Sequence, residues 1–441
     1  MMYSRLMLAR NLLTDDGVIF VSIDEHEHGN LMSIMNEIFG EKNYIDSIVW
    51  SKKSGAKGVP PKNMMVNVHE YIVAYQKSDK FKFVGEKRSE EADEFKNPDN
   101  DPRGPWRESN IKSTTKPIED AFTIVDPETG RKYTNTWAFS KESLEKMIHE
   151  KRILWKQNLP KQKEFMYEMT NENKAIKSNW GVFDAQSTTV YLKHLIPEVK
   201  FDNPKPINLM KYLISVAAAS NDIVLDIFSG SATTAQAVIA VNSENNGNVK
   251  FILLQIPEKI DVETEAHKAG YTTICELGKE RIRRAGEKIK EESPLTTTNL
   301  DVGFRVLKLD DTNMKDVYYA ADDYDQKTLA DMISNIKEDR TDLDLFFGCL
   351  LEWGLPLSMP YHSEQIDGCT VHTYNDGDLI ACFDNHIPES VVKEIAKRKP
   401  LRAVFRDSGF ADSPAKINVF EIFKLYMPED ADDITKRVRV I

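Results

Sequence analysis

The chain has 441 residues, of which 41% are hydrophobic and 29% charged, and its formal net charge is −12 at pH 7. This length predicts two or three domains, each with its own hydrophobic core. No apolar run approaches the roughly 18 residues that cross a bilayer, and the start of the chain lacks a signal-peptide cleavage site. The four cysteines contain no C-x-x-C pair. These features argue against a membrane protein, a zinc or other metal site and a disulfide framework, and they predict a cytoplasmic protein.

Residues 1–76 alternate between helical and strand patterns, which is typical of a doubly wound α/β sheet. Short β-branched runs favour buried strands, and apolar residues spaced three or four apart favour helices. The predicted elements are a helix over 1–14, a strand at Val18–Ile23, a helix containing Leu31–Phe39, and strands at Ile45–Trp50 and Glu70–Tyr75.

Residues 77–200 break this pattern, because they are polar, rich in lysine and interrupted by Pro and Gly. Taken singly, their tryptophans fit a local core and their lysines fit a solvated surface equally well. Together, interleaved cations and aromatic rings predict a DNA-reading insertion that binds phosphates and stacks on bases. A local basic surface of this kind is compatible with an acidic chain. The candidate DNA-binding residues are Arg103, Trp106, Arg107 and Lys156.

The α/β pattern returns near residue 205. A linker is predicted at 293–299, and residues 300–441 form a separate acidic α/β region. The elements predicted before the linker are helices at Leu209–Ala219, Thr233–Val241 and Glu276–Glu291 and strands at Ile223–Asp226 and Lys250–Gln255.

The strand–turn–helix around Asp226–Ser231 is the sharpest local signal. Small residues after a hydrophobic strand let the backbone approach a ligand, and the following helix begins with free N–H groups. Ligands of open α/β sheets bind at the carboxyl ends of strands, and an acid at the strand end suits a ligand with an ammonium group. Structural packing also produces such turns. Glu258, just past the next strand, fits a ribose-binding carboxylate or a plain surface acid.

Short motifs follow one another through essentially the whole chain: Gly17–Asp24, His69–Ile72, Phe201–Pro206, Asp226–Ser231, Phe251–Glu258, Gly278–Arg284, Leu379–Phe383 and Leu401–Phe410. In this combination the sequence resembles the Mod (modification) subunit of type III restriction–modification systems. These subunits belong to the permuted, or beta, group of adenine-N6 DNA methyltransferases. The resemblance implies a doubly wound Rossmann-like methyltransferase sheet with an inserted DNA target-recognition domain and a C-terminal α/β domain.

The resemblance divides the chain into residues 1–76 and 201–292 as two parts of a methyltransferase domain, 77–200 as target recognition and 300–441 as the C-terminal domain. It implies site-specific methylation of adenine N6 with S-adenosylmethionine. The partners implied are double-stranded DNA, a second Mod copy and a restriction (helicase/nuclease) subunit. By the same resemblance, the cofactor-binding residues are Asp226, Phe228, Gly230, Ser231, Lys205, Pro206 and Glu258.

Two departures from the family pattern affect the expected activity. Ala232 stands where the family's cofactor turn usually has glycine, and its methyl group disfavours a positive φ. The family's catalytic Asp-Pro-Pro-Tyr motif, which grips a flipped adenine, is absent from residues 1–441. The catalytic residues are therefore unknown. The chain is either an N-terminally truncated Mod protein or acts with a separate N-terminal chain. The alternative function is a non-catalytic DNA-recognition and assembly subunit.

Two further sets of polar residues fit more than one role. His69 and Glu70 suggest acid–base chemistry, but a structural role is favoured because no nucleophile lies near them in sequence. Asp24 and Glu25 end a strand that faces the presumed cleft. A binding role and a loop-capping role fit these two carboxylates equally well.

Overall fold

A computed structural model describes residues 2–52, 66–87, 95–168, 173–199, 204–315 and 335–441. The chain divides into two compact units, Met1–Gly303 and Phe304–Ile441. Among the described residues, no helix is both long and apolar enough to cross a membrane. The motif residues Phe201, Asp202 and Asn203 lie outside the described residues.

Helices and strands alternate along the chain, as the sequence predicts. The helices are α1 (Met2–Leu12), α2 (His28–Phe39), α3 (Lys141–His149), α4 (Ala185–Leu195), α5 (Ile207–Ala217), α6 (Thr233–Asn245), α7 (Glu265–Lys268), α8 (Ile274–Glu292), α9 (Asp342–Glu352), α10 (Glu389–Lys397), α11 (Ser413–Tyr426) and α12 (Ile434–Arg437). The strands are β1 (Val18–Ile23), β2 (Tyr44–Ser51), β3 (His69–Gln76), β4 (Glu86–Lys87), β5 (Trp106–Asn110), β6 (Phe122–Val125), β7 (Lys132–Asn135), β8 (Ile153–Leu154), β9 (Lys161–Phe165), β10 (Asn173–Lys174), β11 (Asn179–Val182), β12 (Ile223–Asp226), β13 (Lys250–Leu253), β14 (Tyr361–Ile366), β15 (Cys369–Tyr374), β16 (Leu379–Cys382), β17 (Ala403–Phe405) and β18 (Val438–Val440).

A four-stranded sheet in the order β1-β3-β2-β11 forms the first part of the larger unit. Strand β3 pairs antiparallel with both β1 and β2, and β11 pairs parallel with β2. One face of this sheet is covered by α1 and α2, whose Leu6, Leu31 and Met35 pack with Val73 and Tyr75 of β3. The apolar spacing of the two helices therefore supplies the core that the sequence predicts.

Strands β12 and β13 form a separate, parallel two-stranded sheet. One face packs on α5 and α6 through Ile214, Val238 and Val241. The mixed α/β fold is confirmed, but the strands expected in one doubly wound sheet lie in two sheets. Strand β1 pairs with β3, and β12 pairs with β13. No hydrogen-bonded strand in the described part of the chain connects the two sheets.

Within residues 95–168 the strands form two small antiparallel sheets, β5-β9-β8 and β6-β7. Trp137 is fully buried and packs with Leu144 of α3, so this tryptophan serves a local core. Farther along the chain, α4 packs against α8 through Leu192, Leu195 and Ala285.

The smaller unit is built on a five-stranded sheet in the order β14-β15-β16-β17-β18. Strands β14 to β16 are antiparallel neighbours, whereas β16, β17 and β18 run parallel. Phe346 of α9 packs in one hydrophobic cluster, and helices α10 and α11 contribute Val391 and Phe423 to another. The smaller unit is thus a mixed α/β fold built on one sheet.

Candidate functional site

The turn after β12 is held in place by hydrogen bonds to the Asp226 carboxylate. That carboxylate accepts one bond from the backbone N–H of Phe228, at 3.1 Å, and one from the hydroxyl of Thr234, at 2.5 Å. It thereby ties the end of the strand to the first turn of α6, as an acid at a helix start commonly does. Asp226 therefore shapes the loop.

The neighbouring strand fixes the other side of the same loop. The backbone N–H of Ser229 donates to the carbonyl of Leu254, at 3.2 Å, and that of Gly230 donates to the Gln255 side chain, at 2.8 Å. Gly230 has a φ of +48°, and Ala232 also adopts a left-handed conformation, with a φ of +60°. The alanine that departs from the family pattern therefore takes the strained conformation that glycine adopts freely.

Arg281 of α8 braces the loop from behind and is fully buried. It donates hydrogen bonds to the carbonyl and hydroxyl of Ser231, to the hydroxyl of Thr233 and to the side chain of Gln236. Burial lowers the pKa of Arg281 to about 10, which still leaves it protonated at neutral pH. Sequence analysis missed this residue. Its burial could have been inferred from its position, because Arg281 follows Leu277 by four residues and lies on the apolar side of the same helix.

Lys205 reaches from the segment before α5 to the first sheet. Its ammonium group pairs with the carboxylate of Glu70 on β3, which also accepts from Lys52 at 2.8 Å. The same ammonium group lies 5.5 Å from the ring centre of Trp50 on β2. Burial by itself raises the pKa of Glu70, but the two lysines lower it below its usual range. Two motifs that are far apart in sequence are thus joined by an ion pair.

One cavity of about 2130 Å³ brings most of the predicted cofactor residues together. Pro206, which is buried at the start of α5, does not line it. Phe228 lines it and is 54% exposed as a residue, and Glu258 lines it from an exposed loop. The predicted residues that line the cavity are Lys205, Asp226, Phe228, Gly230, Ser231 and Glu258.

The candidate DNA-binding residues lie on or beside the sheet β5-β9-β8, and each has an acidic partner within the chain. The guanidinium of Arg103 pairs with Asp101 at 2.8 Å and lies over the ring of Phe165. The hydrogen bond from Arg103 lowers the pKa of Asp101 well below its usual range. The other pairs are Trp106 with Asp99 at 2.8 Å, Arg107 with Glu164 at 2.7 Å, and Lys156 with Glu108.

The remaining polar residues singled out in the sequence have local partners. His69 shares a hydrogen bond of 2.9 Å with the hydroxyl of Tyr71, and Asp24 lies 3.2 Å from the ring nitrogen of His26. That hydrogen bond from His26 lowers the pKa of Asp24. Together with the lysine pairs of Glu70, these contacts favour structural roles for the set.

The family model described as DNA methylase matches residues 1–285 of the chain. The chain belongs to the DNA methylase family. It is 34% identical over 311 residues to the Mod subunit of the type III restriction–modification enzyme StyLTI of Salmonella typhimurium, covering 69% of this chain and 47% of that protein. It is 28% identical over 495 residues to the EcoP15I Mod subunit of Escherichia coli, covering 99% of this chain and 72% of that protein.

These matches confirm the resemblance to type III Mod subunits. The chain spans about half the length of the StyLTI subunit. Among solved structures, the M1.HpyAVI–SAM complex aligns with 64% of this chain and 81% of its own, at 16% identity and a TM-score of 0.30.

Proposed function

We propose that the chain is the cofactor-binding and DNA-recognising part of a site-specific adenine-N6 DNA methyltransferase of a type III restriction–modification system. The observation that carries this proposal is the convergence of Asp226, Lys205 and Glu258, from separate segments, on one cavity at the carboxyl end of β12. Ligands of α/β sheets bind at this end of the strands.

The chemistry of the loop fits S-adenosylmethionine, which supplies the methyl group when bound. Asp226 offers carboxylate lone pairs to an ammonium group, and the exposed ring of Phe228 offers an apolar plane. A Cβ atom placed on Gly230 would lie 4.0 Å from the carbonyl oxygen of Phe228, which is the nearest atom apart from Gly230's two chain neighbours. The loop surface is therefore open to a ligand. The Glu258 carboxylate suits the hydroxyls of a ribose.

Double-stranded DNA is the proposed substrate, and the insertion that contains Arg103, Trp106, Arg107 and Lys156 is the proposed reading surface. A second Mod copy and a restriction subunit are the proposed protein partners, because the StyLTI and EcoP15I relatives are named as Mod subunits of such systems.

A second function is favoured by one specific observation, which is that residues 1–441 contain no Asp-Pro-Pro-Tyr segment. Residues 1–441 by themselves would then recognise DNA and bind cofactor without transferring a methyl group. Labelled S-adenosylmethionine and DNA distinguish the two functions. Robust methyl transfer by residues 1–441 alone would reject the non-catalytic function.

Cofactor binding is tested by calorimetry on the Asp226→Asn variant. Asparagine keeps an oxygen that can accept from the Phe228 N–H, and its NH2 group can donate to the Thr234 hydroxyl, but it removes the negative charge that an ammonium group requires. We expect the affinity for S-adenosylmethionine to fall at least tenfold, a loss of about 1.4 kcal/mol. Asp432→Ala, an exposed change in the smaller unit, is the matched control. Equal affinities of the two variants would remove Asp226 from the pocket.

A further inference from the structure

Two buried cysteines of the smaller unit are brought together by strand pairing. Cys369 begins β15 and Cys382 ends β16, and the two residues are 3% and 0% exposed. The strands are antiparallel with Val371 opposite Cys382, so Cys369 is the diagonal neighbour of Cys382 on the same face of the sheet. The cysteines are far apart in sequence and form no C-x-x-C pair, so their spacing along the chain does not reveal this contact.

A carboxylate lies against the two thiols. Asp384 follows Cys382 by two residues, which is the spacing that returns a side chain to the same face of an extended chain. Its Oδ2 atom accepts the backbone N–H of Thr370 at 2.6 Å and lies 3.8 Å from the Sγ atom of Cys382. One possible ligand atom from each of Cys369, Cys382 and Asp384 lies within 4.8 Å of the other two. We call these three residues the Cys–Cys–Asp cluster.

The spacing of the Cys–Cys–Asp cluster fits a tetrahedral zinc ion. Zinc binds cysteine sulfur at about 2.3 Å and carboxylate oxygen at about 2.0 to 2.2 Å, which places tetrahedral ligand atoms roughly 3.5 to 3.8 Å apart. The separation of Cys382 and Asp384 already has this value. The other separations need to close by about 1 Å at most to match zinc geometry.

The chemistry of the donors selects the class of ion. Cysteine sulfur favours zinc and softer ions, whereas magnesium and calcium prefer sites built from oxygen ligands. The thiol of Cys369 donates to the carbonyl of His386 at 3.2 Å, and that of Cys382 donates to the Asp384 carboxylate. Zinc would replace these two protons, because thiols bind the ion as thiolates.

One side of the Cys–Cys–Asp cluster is accessible to solvent. Asp384 is partly exposed, and the next two residues, Asn385 and His386, are exposed. An ion can therefore enter from this side, and water can occupy the fourth position that three protein ligands leave. The two thiols, by contrast, belong to the hydrophobic core to which α10 and α11 contribute, and close packing holds them in place.

Packing alone explains less of the arrangement. Buried cysteines are common in cores, where each behaves as a small hydrophobic residue. That role accounts for either thiol taken singly. It does not account for a carboxylate beside the pair, because thiols are only weak hydrogen-bond donors.

We infer that the Cys–Cys–Asp cluster binds one zinc ion, with Cys369, Cys382 and Asp384 as ligands and water in the fourth position. The ion joins β15 and β16 to the loop before α10, so its binding stabilises the smaller unit. The inference does not rest on the proposed function, because all three ligands lie in Phe304–Ile441 and none of them lines the cofactor cavity.

Metal titration tests the site. The full chain is reduced, freed of metal with a chelator and titrated with Co²⁺, which is then displaced by Zn²⁺. We expect one equivalent of Co²⁺ to bind with a thiolate-to-cobalt absorption band that Zn²⁺ removes. Absence of stoichiometric binding would leave two core cysteines only and would overturn the inference. Binding without the thiolate band, as at surface groups such as His26, would overturn it as well.

Variants of the Cys–Cys–Asp cluster test the ligand set. We expect Cys382→Ala and Asp384→Asn each to weaken Zn²⁺ binding roughly tenfold or more, because one of three protein ligands is lost. Cys349→Ala is the matched control, since Cys349 is 6% exposed in the other hydrophobic cluster of the same unit. Equal Zn²⁺ affinities of Cys382→Ala and this control would overturn the inference.

Alkylation of the unmodified chain gives a test that does not depend on the folding of a variant. Zn²⁺ should slow iodoacetamide labelling of Cys369 and Cys382, mapped by mass spectrometry, and should leave Cys275 of the larger unit unchanged. Protection of Cys275 alone, or of no cysteine, would overturn the inference. A Cys369–Cys382 disulfide in the freshly purified chain would assign the pair to redox chemistry and would also overturn it.

Discussion

Arg281 donates hydrogen bonds to the carbonyl oxygen and the hydroxyl of Ser231, at 3.0 and 2.8 Å, from a position that is fully buried. The two residues are fifty positions apart in the sequence. A planar guanidinium with several donors in a fixed arrangement can hold both sides of a tight turn at once. The shape of the candidate cofactor loop therefore depends on a residue of a helix that lies behind it.

The Arg281→Lys variant should lose stability and cofactor affinity together. A single ammonium group cannot reach Gln236, Ser231 and Thr233 simultaneously, so buried acceptors lose their donors. We expect the free energy of unfolding to fall by roughly 2 kcal/mol or more, measured by denaturant titration. The affinity for S-adenosylmethionine should fall about tenfold. Arg283→Lys, on the exposed side of the same helix, is the control, and an equal effect of both changes would contradict the bracing role of Arg281.

Substitutions at Ala232 test whether the left-handed backbone of the loop is strained. Its φ of +60° is disfavoured for β-branched residues, and a Cβ placed on Gly278 would lie 3.4 Å from its methyl group, so space is limited on that side. Ala232→Val should therefore lower the free energy of unfolding by about 2 kcal/mol. Ala232→Gly should change it by less than about 1 kcal/mol, since relief of strain offsets a lost methyl contact. Thermal unfolding of both variants measures these changes in stability. An Ala232→Val variant as stable as the unmodified chain would argue against the left-handed conformation.

The Glu70 ion pair should give a defined dependence of stability on pH. The pKa of Glu70 is lowered in the folded protein, so its contribution is present above the unfolded value near 4.5 and is lost as the pH falls through the folded value. Glu70→Gln should cost about 1 kcal/mol at pH 7, because both lysines are partly exposed. The cost should vanish at acidic pH.

Denaturant titration at pH 7 and at several lower values measures the Glu70 effect. Glu265→Gln is a suitable control, since that side chain is 78% exposed and pairs with Lys268. A Glu70→Gln cost that stays constant down to acidic pH would show that the charge of Glu70 is not what stabilises the contact.

Glu108 sits between two lysines of the proposed DNA-reading surface. It accepts hydrogen bonds from Lys156 and from Lys161, and that from Lys156 lowers its pKa most. If these lysines contact phosphates, Glu108→Gln removes a competing anion and should tighten DNA binding several-fold. Lys156→Ala should weaken binding uniformly across DNA sequences and reduce the slope of log affinity against log salt by about 1.

Fluorescence anisotropy at a series of salt concentrations measures both changes on the DNA surface. Lys436→Ala is the control, because that lysine pairs with Asp433 in the smaller unit and is 78% exposed. Unaltered salt dependence in Lys156→Ala would remove this lysine from the DNA surface.

Local pattern was enough to predict most secondary structure around the site. Strand β1 has the bounds predicted from its β-branched run, and Ile223–Asp226 is a strand as expected. The small residues after Asp226 correctly indicated a tight turn. These features depend on neighbours in the chain, because side-chain alternation and backbone conformational preference act over a few residues.

Contacts between residues that are distant in sequence could not be predicted from local sequence patterns. The basic and aromatic residues of the insertion were expected to face DNA, yet Trp106 is mostly buried and Arg103 is engaged by Asp101. Sequence composition counts charges, but it does not say which acid lies opposite each one. The role of Arg281 escaped notice for the same reason, since its acceptors lie on a different element.

The sequence by itself determined the family, the order of the helices and strands and the position of the tight turn after Asp226, because each depends on contiguous residues. The tertiary structure alone decided that six of the seven predicted cofactor residues line one cavity, that Arg281 holds Ser231, and that β1 and β12 are edge strands that line the same cavity. Strand pairing and ion pairing depend on which surfaces meet after the chain has folded, and no local run of residues contains that information.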